Sequence, residues 1–229
     1  MDRYRLHYAP DNASLVIRLA LETRGLAYDT VLVDRRGGEL NSPAYRALNP
    51  AGLIPVLETP DGPMFETGAI LLWLADRHGG LAPAAQSPAR GTFLKWLFFT
   101  SNTLHADLRI FFYPKKYIGP DAVACAALRA GIAARLHQHL SLLETAMAGP
   151  DWPGGAIDLY LCCLLRWMPL YPEDGDRSWF DLSRYPALAA MAARIETTPA
   201  ARAAQLAEGL GPTPFTAPCP ANPPEGSPT

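Results

Sequence analysis

Five residues, Phe98, Asn102, His105, Arg109 and Phe112, recur at heptad-like spacing in a stretch of helical periodicity. One face of one helix therefore mixes aromatic rings with three hydrogen-bonding groups, as a cleft wall does and a purely buried face does not. His105 is the member that titrates near neutral pH and can act as a donor or a base. A second run, Asn49-Pro50-Ala51-Gly52-Leu53-Ile54-Pro55-Val56-Leu57-Glu58, sets Pro55 among apolar residues that read as a strand. Proline donates no ladder hydrogen bond, so it fits there only at a strand's start, as a cis bond that turns the chain. That anomaly marks a site. Metal chemistry is not expected, because Cys125, Cys162, Cys163 and Cys219 form no C-x-x-C pair and have no His cluster nearby. Cys162 and Cys163 read as buried core, and Cys219 as an exposed thiol without an assigned task.

These residues need elements to position them. Arg5 to Tyr8 reads as a strand, Ala13 to Arg24 as a helix capped by Asp11-Asn12 and ended by Gly25, and Leu26 to Val33 as a second strand. Arg35-Arg36-Gly37-Gly38 opens a loop, and Ser42 to Leu48 reads as a short helix. Val56 to Glu58 and Met64 to Glu66 then form a hairpin around Asp61-Gly62, and Thr67 to His78 is a helix, giving β-α-β-α-β-β-α over residues 1–78. A Gly, Ala and Pro-rich linker covers 79–90. From 91 to 210 the periodicity is helical throughout, with breaks at Pro114, Gly119-Pro120, Gly149 to Gly155 and Pro172 to Asp176. Residues 211–229 form a Pro-rich tail, expected to run extended over the surface with a disordered end; Phe215 within it is a candidate pocket cap.

The order of these pieces resembles the cytosolic glutathione transferases, and most closely their bacterial beta class. The matching features are the Ile54-Pro55-Val56 step, the Glu66-Thr67 pair opening a helix, the turn Tyr8-Ala9-Pro10-Asp11-Asn12-Ala13-Ser14, and the Trp96-Leu97 and Leu104-His105 pairs. The resemblance implies an α/β thioredoxin-like N-terminal domain followed by an all-α C-terminal domain. It implies that Ile54, beside cis Pro55, offers its main chain to the cysteinyl unit of glutathione as an added strand would. Glu66 and Thr67 would hold the γ-glutamyl end, the carboxylate at the open helix N-terminus and the ammonium on Glu66.

The same resemblance places thiol activation in the first strand-to-helix turn. The beta-class cysteine position is Ala13 here, so a mixed disulfide at that position is excluded. Ser14, Asn12, Tyr8 and the helix-start amides remain as donors to a thiolate, and His105 is the further site residue. Asp11 opposes them if it faces the sulfur. Each has a structural reading as well: Asn12 as a helix cap, Ser14 satisfying the first turn, Tyr8 packing beneath the helix. The family often sets a basic residue two positions before the cis proline; Leu53 stands there, so Arg35 and Arg36, with Arg46 behind them, are the candidates for the glycyl carboxylate. Trp96, Phe98, Asn102, Arg109, Phe112 and Tyr113 would hold a hydrophobic electrophile. In the helical domain, Gly155-Ala156-Ile157-Asp158 keeps the Asp of a family capping box without its hydroxyl, so Asp158 reads as structural.

Bulk properties agree with a small-molecule enzyme. A net charge of -2 over 229 residues offers no basic footprint for nucleic acid or an anionic membrane. No segment approaches a membrane span, and Met1-Asp2-Arg3-Tyr4-Arg5 lacks a signal peptide's apolar region, so a cytoplasmic protein is expected. The resemblance implies a homodimer that transfers the glutathione thiolate to a small electrophile. A glutathione-dependent isomerase, dehalogenase or reductase on the same scaffold, and a non-catalytic glutathione-binding or regulatory module, are the alternatives.

Overall fold

The computed structural model describes residues 3–173 and 175–228. Strands β1 (Tyr4–Tyr8), β2 (Tyr28–Leu32), β3 (Val56–Thr59) and β4 (Gly62–Phe65) form one sheet in the order β2-β1-β3-β4. β1 and β2 run parallel, with Leu6 opposite Thr30, while β1 pairs antiparallel with β3, and β3 with β4. The parallel pair needs a crossover, which α1 (Ser14–Arg24) supplies. Its segment Leu15 to Leu21 is buried throughout, and Gly25 ends it in the left-handed conformation. Helices α2 (Pro43–Leu48) and α3 (Thr67–His78) complete this part; Ser42 caps α2 by accepting the Tyr45 N–H at 3.1 Å.

The helical part comprises α4 (Arg90–Phe99), α5 (His105–Phe112), α6 (Lys115–Ile118), α7 (Ala122–Met147), α8 (Ala156–Trp167), α9 (Pro186–Glu196) and α10 (Pro199–Glu208). Every residue of α8 is buried, Cys162 and Cys163 included, with α1, α4 and α9 packed against it. No described helix is long and apolar enough to cross a membrane.

Gly155 is more than a weakened cap. Its φ is +67°, and a Cβ there would lie 2.3 Å from the Leu81 carbonyl oxygen. That carbonyl accepts the Ala156 N–H at 2.7 Å, tying the start of α8 to the segment after α3. The close approach, and not the loss of a hydroxyl, explains the glycine. Asp158 accepts from Trp152 Nε1 at 2.8 Å and from Arg194 Nη2 at 2.6 Å, in keeping with a structural role.

The tail departs from expectation. Phe215 is fully buried in the main core instead of capping a pocket, and Asn222 donates to the Gly209 carbonyl at 2.8 Å. Arg166, also fully buried, donates to the carbonyls of Leu210, Pro214 and Cys219 at 3.1, 3.1 and 3.0 Å. A buried guanidinium with unsatisfied donors is costly, and the tail satisfies it. Proline richness keeps these carbonyls out of any ladder and leaves them available as acceptors.

Candidate functional site

A cavity of about 530 Å3 lies between the two parts of the chain. On its sheet side stand Asn49, Leu53, Ile54, Pro55, Glu66 and Thr67. The Ile54–Pro55 bond is cis, and so is Tyr171–Pro172, which no residue pattern around it announces. Asn49 Nδ2 and the Tyr45 hydroxyl both donate to the Leu53 carbonyl, at 2.7 and 3.0 Å, fixing the chain just before Ile54. Among the described residues no partner is recorded for the Ile54 main-chain N–H or C=O. At α3 the first intrahelical bond runs from Ile70 to the Glu66 carbonyl, so the amides before it stay open, and Glu66 makes no side-chain cap. A free stretch of backbone beside an open helix start with one carboxylate at its edge fits a zwitterionic peptide.

The β1–α1 turn forms the cavity floor through Asp11, Asn12 and Ala13. Contrary to the expected cap, neither Asp11 nor Asn12 uses its side chain on α1. Asp11 is held at φ 52° with its carboxylate turned into the protein. Arg166 donates Nε to its Oδ1 at 2.8 Å and Nη2 to its Oδ2 at 2.9 Å; Trp167 Nε1 and the Tyr171 hydroxyl add bonds of 2.7 and 2.9 Å. The Asp11 charge is therefore balanced by Arg166. The Asp11 N–H donates to Glu208 at 2.8 Å, and Arg18 Nε donates to the same carboxylate at 2.7 Å. Burial raises the Glu208 carboxyl to about 7 despite Arg18.

Ser14 and Tyr8 are not brought to the cavity. Ser14 is fully buried and its hydroxyl donates to the Ala9 carbonyl at 3.2 Å. The Tyr8 hydroxyl donates to Glu225 of the tail, and burial with that carboxylate raises its pKa far above the ordinary phenol range. Asn12 is at the cavity, its amide donating to the carbonyls of Pro10 and Pro228 at 3.2 and 3.1 Å. Arg35 also reaches it and donates to the Pro228 carbonyl. Arg36 is outside the lining, and Arg46 is used on Pro50 and Asn41 at 2.9 Å each.

On the helical side the lining is Ser101, His105, Ala106, Arg109, Phe112 and Tyr113 from one continuous rod, then Lys116. Phe98 and Asn102 do not share that face, and the backbone explains why. Thr100–Leu104 is a π turn in which the His105 N–H reaches the Thr100 carbonyl. The wider turn delays the face by about one residue, so positions before it rotate away from positions after it. Phe98 is left 52 % exposed elsewhere, and Asn102 lies exposed, accepting from Ser101 Oγ at 2.9 Å. Trp96 packs against Phe99 and Trp152, with ring centroids 5.4 and 5.7 Å apart, in the helical core.

His105 Nδ1 and the Tyr160 hydroxyl are 2.7 Å apart, and Trp167 lies against the imidazole at a 5.8 Å centroid distance. Burial, reinforced by Arg109, pulls the His105 pKa down to about 4, so the ring is neutral at pH 7. Tyr160, Trp167, Tyr171 and Lys116 were missed by sequence reasoning; the first two sit in an apolar run that reads only as core.

With this geometry in place, comparison with known proteins is informative. Residues 13–77 match the family described as glutathione S-transferase, N-terminal domain. A sphingomonad glutathione S-transferase, solved in complex with glutathione, is 31% identical, covering 90% of this chain and 100% of that one with a TM-score of 0.74. The chain belongs to the glutathione S-transferase family. A glutathione S-transferase of Xanthomonas campestris is 27% identical over 212 residues, 90% of this chain and 99% of the relative. The glutathione S-transferase structure from Xylella fastidiosa is 26% identical with a TM-score of 0.78, over 91% of this chain and 100% of that one. This glutathione transferase shares the family fold over about 90% of its length, with Ala13 at the floor of the cavity.

Proposed function

We propose that the cavity binds glutathione between Ile54 and Thr67 and presents its thiol to a small electrophile lodged against α5. The observation that carries this is the open backbone at Ile54 and the open start of α3 lining one cavity together with the Glu66 carboxylate. Glu66 takes the ammonium, the Thr67 end of α3 the γ-glutamyl carboxylate, and Arg35 the glycyl carboxylate. Bound glutathione supplies the nucleophilic sulfur. The chain's part is to favour its thiolate with the first amides of α1 and with the Asn12 amide once it leaves the Pro228 carbonyl, since the helix start stabilises negative charge. His105, neutral and bonded to Tyr160, accepts or donates one hydrogen bond at the sulfur without adding charge. Asp11 does not oppose this, because Arg166 neutralises it.

The proposal includes a homodimer in the cytoplasm. Phe65 and Phe98, 38 % and 52 % exposed, are apolar surface that a second copy would cover. Calorimetry with glutathione and a conjugation assay with 1-chloro-2,4-dinitrobenzene test the reading: binding with turnover is expected, and absence of both would overturn it. One observation favours a non-catalytic module instead, since the Pro228 carbonyl already engages Asn12 and Arg35. Binding without turnover of any electrophile would select that alternative.

A further inference from the structure

The helical wall of the cavity is more cationic than an apolar co-substrate needs. Arg109 stands on α5, Lys116 on α6 and Arg35 on the loop after β2, all three lining the same space. Among the described residues, none of them forms an ion pair with a carboxylate. Arg109 donates to the Tyr117 hydroxyl at 2.6 Å, Lys116 lies over the Tyr113 ring at 4.7 Å, and Arg35 holds the Pro228 carbonyl. These neutral partners orient the cations and leave their charge uncompensated. Burial, then Arg109 and Arg35, lowers the Lys116 pKa, so the three charges lie close enough to feel one another.

The cavity's two acids do not balance them. Asp11 is committed to Arg166, and Glu66 stands at the other edge, where it meets the ammonium of the peptide. If Arg35 serves the glycyl carboxylate, Arg109 and Lys116 remain, with the rings of Phe112 and Tyr113 between them in sequence and in the same wall. An apolar body on those rings with an acidic group toward the two cations satisfies every part of this wall.

Resting on the transferase reading, we infer that the co-substrate is an aromatic or unsaturated electrophile bearing a carboxylate, which Arg109 and Lys116 select over its uncharged counterpart. The reaction written for a test substrate is substitution: the glutathione thiolate attacks the chlorine-bearing carbon of 4-chloro-3-nitrobenzoate. The carbon–sulfur bond forms, the carbon–chlorine bond breaks, chloride leaves with the electron pair, and the thiol proton has gone to solvent.

The experiment compares kcat/KM for this acid and for its methyl ester, in the parent and in Arg109→Gln and Lys116→Gln. Intrinsic reactivity cancels when the acid-to-ester ratio is compared between parent and variant, and ester turnover reports that each variant is folded. The ratio is expected to fall about tenfold in the double variant, as the loss of two partly screened charges would give. In the parent the ratio is also expected to fall as salt rises, a readout that needs no variant. Binding of 4-nitrobenzoate and of methyl 4-nitrobenzoate is followed in parallel by tryptophan fluorescence, since Trp167 lines the cavity. Selective binding of the carboxylate with no turnover of any electrophile would sustain the carboxylate selectivity of this wall while the transferase reading, and with it the co-substrate role, failed. An acid-to-ester ratio unchanged in the variants and by salt would overturn the inference and leave the transferase reading standing.

Discussion

The two edges of the cavity are held by different means. Along the Ile54–Thr67 edge, partners lie close in sequence: Asn49 and Tyr45 fix Leu53, and Asn49 Oδ1 accepts the Ala51 N–H at 3.0 Å. At the β1–α1 turn they lie far away: Arg166 meets Asp11 across 155 positions, Glu208 across 197, and Glu225 meets Tyr8 across 217. The first edge is a local motif that needs little else to take shape. The second is a surface loop made rigid by buried charges from α8, α10 and the tail. The comparison teaches that the half of the site proposed to grip the peptide is written largely locally, with Tyr160 reaching Thr67 from α8, while the half proposed to activate the thiol depends on docking of the helical part.

The comparison breaks first where it is most loaded. Asp11→Asn and Arg166→Met are each expected to lower stability by roughly 3–5 kcal/mol, because either leaves a buried charge unpaired. Urea unfolding checks this, and the double variant should cost less than the sum of the singles. Equal, additive losses would show that the two residues do not act as a pair. The next effect concerns pH. The folded His105 pKa of about 4 lies below its ordinary 6.5, so protons favour the unfolded chain. Its stability contribution is complete above pH 6.5 and declines as pH falls from there toward 4. A His105→Gln variant should show a shallower fall over that window in thermal melts. An identical slope would contradict a neutral, buried ring.

On the local edge, Glu66→Ala and Thr67→Ala are expected to weaken glutathione binding by about 1.5 to 3 kcal/mol each by calorimetry. Glu66→Ala, at an exposed position, should leave stability within about 0.5 kcal/mol. Removing residues 225–229 frees Arg35 and Asn12 from the Pro228 carbonyl, and a rise in glutathione affinity of up to about tenfold is expected, the worth of one hydrogen bond. An unchanged affinity would separate Arg35 from the glycyl carboxylate. Smallest of all is Ser14→Ala, which should leave the pKa of the bound thiol unchanged while Asn12→Ala raises it, because the Ser14 hydroxyl is spent on Ala9.

What the sequence makes legible follows the same division. Pro55, Glu66 and Gly25 announce their elements because their constraints act over a few residues. His105, Arg109 and Phe112 are readable as one face, but Phe98 and Asn102 were joined to it by a helical period that the π turn interrupts; no propensity marks such a turn. Asp11 reads as a cap because Asp before a helix usually is one. Its actual partner, Arg166, sits in an apolar run where a buried arginine gives no periodic signal. The tail's composition suggests disorder, yet its backbone carbonyls meet a guanidinium whose needs only the tertiary structure reveals.

The central claim is that the β1–α1 turn, without a cysteine, lowers the pKa of a thiol held on the opposite edge. Thiolate absorbance of glutathione bound to the parent protein, followed against pH, measures it most directly. The account predicts a titration midpoint clearly below the roughly 8.5 of a free thiol, lost when Glu66→Ala releases the peptide. A midpoint at the free value, under conditions where calorimetry shows glutathione bound, would contradict it.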